Sequence, residues 1–472
     1  MPKLQIKSRG TPGRTVDRVL FWAASGSLLL LFAVVGGALL YRSRLVFQIN
    51  YNEGWNSYFT ARVLQGLPLY PARATQLVNN YPPLSFFLVA AVSALSGDVL
   101  AAGRAVAWCS LFGCAALIML LVRRMGESWA GAGFGAVFFL ALMATRYDLY
   151  VGMFDPQLPG QMLMLSGLLV LVSRPGRGAA VAAALLMVAG GFVKHSLIAL
   201  PAAVTLWLAW TDRRRLVPWL LAGATGAVGG LLACRMAFGP EFVAGLLLPR
   251  DASPAEGLRK MVRWLLPIEV PLALAFLPWA LGVPYARFAG LYLACALVSA
   301  TLGAAPFATN YNMVFELAVA MSLGLGLLTG VATMPRGWAA AVVAGCVWLS
   351  AAQLATAETA SWSRWSSLQR ARQARAQASI AAIRARPGPA LCGDLLLCFL
   401  AGKPFAFDPL NTGRAPGEDQ VGLQQAIAAH RFAIIQVSPS VNFFLPATLD
   451  AIAAHYEPLP GLDDLATPRL SQ

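Results

Sequence analysis

Four polar clusters interrupt an otherwise apolar chain, and each holds residue types that can act on a substrate. The first runs Tyr51-Asn52-Glu53-Gly54-Trp55-Asn56, continues as a helical stretch through Arg62 to Gly66, and resumes at Asn79-Asn80-Tyr81-Pro82-Pro83. The second pairs Tyr147-Asp148 with Asp155-Pro156-Gln157, the third is Lys194-His195, and a fourth, weaker one is Asn310-Tyr311-Asn312 with Glu316. Carboxylates and a lysine at membrane depth are costly unless they are paired or line a wet cavity, which makes them functional candidates. A carboxylate within hydrogen-bond reach of a hydroxyl can take its proton as the oxygen attacks. A cationic side chain can hold a phosphate as it leaves.

Each cluster also has a structural reading. Glu53 could cap the helical stretch that follows it or pair with Arg62. Asp155 could cap a helix whose first residue is Pro156. Lys194-His195 could be a loop tip that reaches the headgroups. Tyr147, Trp55 and Tyr81 read as interfacial aromatics.

The elements that must position these residues follow from composition. Of 472 residues, 58% are hydrophobic and 12% charged, and the mean hydropathy is +0.63. Soluble domains carry roughly 25% charged residues, so lipid must be the solvent for much of this chain. The net charge of +15 fits Lys and Arg in cytoplasmic loops facing anionic lipid. No basic-aromatic patch stands outside the apolar segments, so nucleic acid is not expected as a partner. Cys109, Cys114, Cys234, Cys295 and Cys346 lie in apolar runs and behave as small hydrophobes. Cys392 and Cys398 could pair if their segment is extracytoplasmic, but two buried free thiols are the expected reading. The three histidines are scattered, and no Cys/His cluster has zinc spacing.

Charge sets the orientation. Lys3, Lys7, Arg9, Arg14 and Arg18 precede an apolar run from Val19 to Tyr41 that is too long for a signal peptide and lacks a cleavage site. Residues 1–18 are therefore expected in the cytoplasm and 19–41 as a retained first span. Arg123-Arg124, Arg174 with Arg177, Arg213-Arg214-Arg215, Arg287 and Arg336 all fall on the cytoplasmic side with further spans near 99–122, 128–146, 158–173, 179–193, 196–210, 216–234, 264–282, 288–304, 313–331 and 337–354. That count of about eleven excludes Pro83–Leu95, which is too short to cross and would invert every later loop. The expected fold is an all-α polytopic membrane domain over 19–357, with an extracytoplasmic first loop at 42–98. A small extracytoplasmic α/β domain over 358–472 follows. It opens with an Arg-rich helix that could lie along the headgroups. Strands are expected at Ala390–Cys392, Phe405–Phe407 and Phe432–Val437, and helices at Asp394–Ala401 and Val421–His430.

The run NYNEGWNSYFTARVLQGLPLYP, followed after a spacer by NNYPPLSFFLVAAVSALSGD, resembles the first extracytoplasmic loop of the GT-C class of membrane glycosyltransferases. The resemblance is to the bacterial proteins grouped with protein mannosyltransferases, aminoarabinose lipid A transferases and rhizobial lipopolysaccharide glycosyltransferases. FDPQLPGQMLMLSGLLVL, GGFVKHSLIALP, NYNMVFELAVA and CGDLLLCFLAGKPFAFDP fit the same pattern.

The resemblance implies transfer of a sugar from a polyprenyl-phosphate donor to an envelope glycan or lipid acceptor, at the extracytoplasmic face of a bacterial inner membrane. It also implies inversion at the sugar and a first-loop carboxylate as general base. That position falls at Asn52-Glu53, where many relatives have two acids, and Glu53 is the expected base. Lys194 with His195 is expected to hold the leaving phosphate, with Arg62 as a second candidate, and Asp155 to position the acceptor or orient the lysine. Asn52, Tyr81, Gln157 and Asn310 complete the expected substrate-binding set. A divalent metal could sit where carboxylates converge, although the sequence shows no ligand set. Two rival classes are a transporter or flippase of lipid-linked sugars and a catalytically inactive glycan-assembly partner. Internal repeats of the kind transporters carry are absent from the sequence.

Overall fold

The computed structural model describes residues 12–72, 76–126, 128–248, 250–282, 285–330, 335–354, 361–411, 420–438 and 443–469. Among these, seven helices are long and apolar enough to cross a membrane. They begin with Arg14–Ser43 and Val99–Gly126 and end with Ala286–Ala304 and Tyr311–Gly330. Gln157–Ser173, Arg177–Val193 and Ala199–Thr211 are shorter apolar helices, and helix Arg336–Leu354 packs along the first helix. All eleven expected spans therefore coincide with helix. The span expected at 264–282 is longer than the apolar run suggested, because helix Pro254–Leu265 feeds into Glu269–Ala280 through a single 3-10 turn.

Trp22, Leu30 and Val34 on the first helix and Leu221, Val228 and Leu232 on helix Arg213–Phe238 stand exposed, as a surface solvated by lipid tails requires. The centre of the bundle is Tyr311–Gly330, which is buried on nearly every side. It lies against helix Trp129–Arg146 at glycines. A Cβ on Gly131 would collide with the backbone of Gly326 and Gly330, the close approach through small residues that membrane helices use. Leu84–Ser96, at 13 residues, is short of the roughly 20 a crossing needs and packs against the helices on either side of it in sequence.

The C-terminal part is a four-stranded sheet with helices around it. Strands β1 (Ala390–Cys392), β2 (Ile434–Gln436), β3 (Tyr456–Leu459) and β4 (Leu462–Pro468) take the order β1-β2-β4-β3. β1 and β2 run parallel; β4 is antiparallel to both of its neighbours. The Arg-rich helix is Trp362–Ala385. Its Ile380 and Ile383 are buried towards the sheet, while Arg370, Arg372 and Arg375 are exposed. Its first turn places Trp362 and Trp365 against Tyr41 at the end of the first span.

Phe405–Phe407 does not form the expected strand. Phe405 instead stacks on Tyr58 at 3.9 Å between ring centroids, so this segment ties the domain to the first loop. The β3–β4 hairpin and helix Pro446–His455 were not anticipated. Cys392 and Cys398 are not free thiols but form a disulfide.

Candidate active-site cavity

The first loop turns into helix Tyr51–Leu64 directly after Asn50, whose side chain caps it by accepting the Asn52 amide. Helical spacing sends consecutive residues to different sides, and the two central residues of the motif part company here. Glu53 faces inward and is wholly buried. Its carboxylate accepts Nε and Nη2 of Arg104, each at 2.8 Å, and the backbone amides of Ile49 (2.8 Å) and Phe154 (3.2 Å). Arg104 uses its remaining donors on the carbonyls of Ser43, Leu45 and Phe47. A buried ion pair is stable only with its other donors and acceptors satisfied, and this one meets that condition. Glu53 therefore clamps the loop to helix Val99–Gly126, through Arg104 and not Arg62.

Asn52 faces the other way, into a cavity of about 690 Å³. Its side-chain amide donates to Asp155 Oδ2 at 3.2 Å. Asp155 also accepts the Gln157 amide at 2.8 Å, which opens helix Gln157–Ser173. Tyr81, Lys194, His195 and Asn310 line the same cavity. Asp155 and Gln157 sit buried behind that wall, and Arg62 lies away from it, donating to the Pro68 carbonyl. The structure thus gathers five of the nine candidates at one cavity, with two more directly behind. Glu316 accepts the amides of Ala199 (3.1 Å) and Leu200 (2.9 Å), starting the helix that follows Lys194-His195.

Lys194 ends helix Arg177–Val193 and holds its ammonium 3.6 Å from the centre of the Tyr81 ring, a cation–π contact. Tyr81 is accordingly a cavity-wall residue, not an interfacial aromatic. Tyr147 and Trp55 are also buried: Tyr147 packs on Tyr311 and Phe315, and the Trp55 indole donates to Asp408 Oδ2 at 3.1 Å. Beside Lys194, burial pushes the His195 imidazole down to about pKa 4, with the charges of Lys194 and Arg250 adding to the effect. The ring is neutral at pH 7 in a distinctly cationic corner. Arg250 lines the cavity too and donates to Asn411 at 2.7 Å.

The cavity is roofed by the C-terminal domain. Asp408 is fully buried there and takes Tyr51 Oη at 2.5 Å, the Trp55 indole, the Asn411 side chain and the amides of Leu410 and Asn411. Burial raises its pKa above the ordinary range, against the lowering effect of these donors. Asp394 enters the cavity from the same domain. Neither Asp394 nor Arg250 was anticipated as a site residue, nor was Arg104. Arg104 had a signal, a lone charge inside an apolar run; the other two come from segments whose local pattern says nothing about the cavity.

Among the described residues no three His, Cys, Asp or Glu side chains converge, and the first-loop carboxylate is already held by Arg104. A second cavity, of about 460 Å³, is apolar and opens between helices Arg177–Val193, Ala199–Thr211 and Arg213–Phe238. Met187, Phe192, Trp219 and Leu231 line it, and it shares His195 and Leu246 with the polar one.

A membrane-type helical bundle with a small α/β cap over a polar cavity at one end defines a polytopic membrane protein of the GT-C fold, and this chain has that fold. It is similar in fold to ArnT from Cupriavidus metallidurans. In the apo state of ArnT the TM-score is 0.65 at 13% identity, covering 94% of this chain and 98% of ArnT. In ArnT bound to undecaprenyl phosphate the TM-score is 0.63 at 14% identity, with the same coverage. No family model matches the sequence, and no curated protein matches it.

Proposed function

We propose that this protein is a lipid-linked sugar transferase, moving a sugar from a polyprenyl phosphate to an envelope glycan or lipid at the extracytoplasmic face of a bacterial inner membrane. The observation that carries the reading is the junction at His195 and Leu246. There a polar cavity with Lys194, His195 and Arg250 meets an apolar cavity between membrane helices. A polyprenyl phosphate has these two halves: an anionic head for the basic corner and an isoprenoid tail for the apolar slot. Undecaprenyl phosphate is the lipid bound in one of the similar ArnT structures, which supports the same class of ligand here.

In this reading Lys194 and Arg250 attract the phosphate and stabilise the charge that grows on it as the sugar leaves. Asn52, fixed by Asp155, and Asn310 offer amides to sugar hydroxyls. The Cys392–Cys398 disulfide favours an oxidising compartment for the cap, consistent with the basic loops of the opposite end facing the cytoplasm.

The test is binding of undecaprenyl phosphate to the purified full-length protein in lipid nanodiscs, together with mass spectrometry of envelope glycans from a deletion strain and its parent. Saturable binding and a missing sugar modification are expected. Absence of both would overturn the proposal.

A further inference from the structure

Among the described residues that line the polar cavity, Asp394 is the one carboxylate. The other acids near the first loop are engaged elsewhere. Glu53 is closed off by Arg104 and two amides, and Asp408 by Tyr51, Trp55 and Asn411. Asp155 is covered by Asn52. Asp394 accepts the Gln48 side-chain amide at 2.9 Å and, more weakly, the Gln436 amide at 3.4 Å, but unlike the other three acids it lines the cavity, whose basic groups stand on other segments.

Its position is firmly built. Gln48 donates to Asp394 Oδ1 at 2.9 Å, and the Gln436 side chain accepts the Asp394 amide at 2.7 Å. Gly393 beside it has no room for a Cβ against the Ser438 amide, and the disulfide spans the segment from Cys392 to Cys398. The Leu396 amide donates to Gln48 Oε1 at 3.0 Å, so one first-loop glutamine grips both ends of the turn. These are the supports a reacting side chain needs to hold its geometry.

We infer that Asp394, contributed by the C-terminal domain, is the general base of the transfer. The inference rests on the reading of the site as a lipid-linked sugar transferase. The acceptor hydroxyl oxygen forms a bond to the anomeric carbon of the donor sugar and passes its proton to the Asp394 carboxylate. The bond from the anomeric carbon to the phosphate oxygen breaks, and its electron pair leaves on the polyprenyl phosphate beside Lys194 and Arg250. The proton then moves from Asp394 to cavity water, restoring the carboxylate. Burial raises the Asp394 pKa, against the lowering effect of the Ser438, Gln436 and Gln48 side chains, a shift in the direction that suits a proton acceptor.

The experiment compares wild type, Asp394→Asn, Asp394→Glu and, as an exposed surface control, Asp463→Asn. Each is expressed full-length in the deletion strain. The glycan product formed by membrane vesicles is followed by mass spectrometry from pH 5 to 9, and undecaprenyl phosphate binding is measured on the purified proteins. Asp394→Asn is expected to lower product formation roughly 10²- to 10⁴-fold at unchanged abundance and lipid binding. Asp394→Glu should restore part of the rate, with a shifted acid limb, and Asp463→Asn should match wild type. Product within a few-fold of wild type in Asp394→Asn overturns the inference, as does a loss of lipid binding that parallels the loss of product. If Asp394→Asn fails to accumulate, Asp394→Glu decides: a rate without a shifted acid limb overturns it. Wild type that neither binds the lipid nor makes a product defeats the transferase reading itself, and this assignment with it.

Discussion

Glu53 and Arg104 meet through two parallel hydrogen bonds of 2.8 Å in a site that solvent does not reach. That contact fixes where the first loop leaves the membrane, because Arg104 also holds the carbonyls of Ser43, Leu45 and Phe47. Removing one partner of such a pair leaves an uncompensated charge and costs about 3–5 kcal/mol. Glu53→Gln should therefore lower the thermal unfolding midpoint and the membrane abundance of the protein. Replacing both partners, as in Glu53→Gln with Arg104→Met, should recover part of the loss. A stable Glu53→Gln protein with its product selectively abolished would instead restore Glu53 as a participant in the chemistry.

The split between Glu53 and Asn52 explains what could and could not be seen in the sequence. Apolar runs broken by Arg-rich turns located the spans, since a bilayer demands length and sorts charge. Polar residues at span ends located Asn52, Tyr81, Lys194, His195 and Asn310, because such residues at membrane depth need a reason. The sequence could not say which of two adjacent residues faces the cavity, since a helix turns by about 100° per residue. Nor could it join Gln48 to Asp394, a contact across 346 positions that exists only once the C-terminal domain docks. Arg250 stayed hidden for the same reason.

Lys194 is held over the Tyr81 ring rather than by a carboxylate. A cation–π contact contributes roughly 0.5–2 kcal/mol, so the ammonium keeps its charge available to an incoming phosphate. Lys194→Ala should weaken undecaprenyl phosphate binding by roughly 30-fold or more, the lower end of the cost of truncating a buried charge contact, about 2 kcal/mol. Lys194→Arg should retain part of the affinity, and Tyr81→Phe, which keeps the ring face, should change it little. Titration calorimetry or native mass spectrometry in nanodiscs reads these differences. Equal affinity of Lys194→Ala and wild type would place the phosphate elsewhere.

His195 gives the site a pH dependence. Burial first, and then Lys194 and Arg250, hold its pKa at about 4 in the free protein. A phosphate in the cavity would oppose the two positive charges and raise that value. Protonated His195 then favours the bound state, so affinity should rise as pH falls below the histidine pKa of the complex. The gain should level off below about 4, where the free protein also binds the proton. The lipid phosphate titrates in the same range, so the measure is the difference in pH slope between wild type and His195→Gln. Identical slopes would separate His195 from the bound phosphate.

At Gly54 the first-loop helix packs directly against the backbone of the cap. A Cβ at this position would overlap the backbone of Leu395 and Leu396, in the turn that carries Asp394. That backbone cannot yield freely, because the Leu396 amide is tied to Gln48 and the Cys392–Cys398 bond spans the turn. Gly54→Ala should therefore push the two elements apart, with a cost of about 1–3 kcal/mol for the added methyl. Gly229→Ala, which meets open space, controls for the substitution itself. Lifting the turn also withdraws Asp394 from the cavity, whereas Lys194 and the apolar slot belong to the bundle. Product formation should consequently fall more steeply than undecaprenyl phosphate binding in Gly54→Ala, and the Cys392–Cys398 bond should become easier to reduce. Parallel loss of binding and product would mean that the cap holds the donor as well as the acceptor.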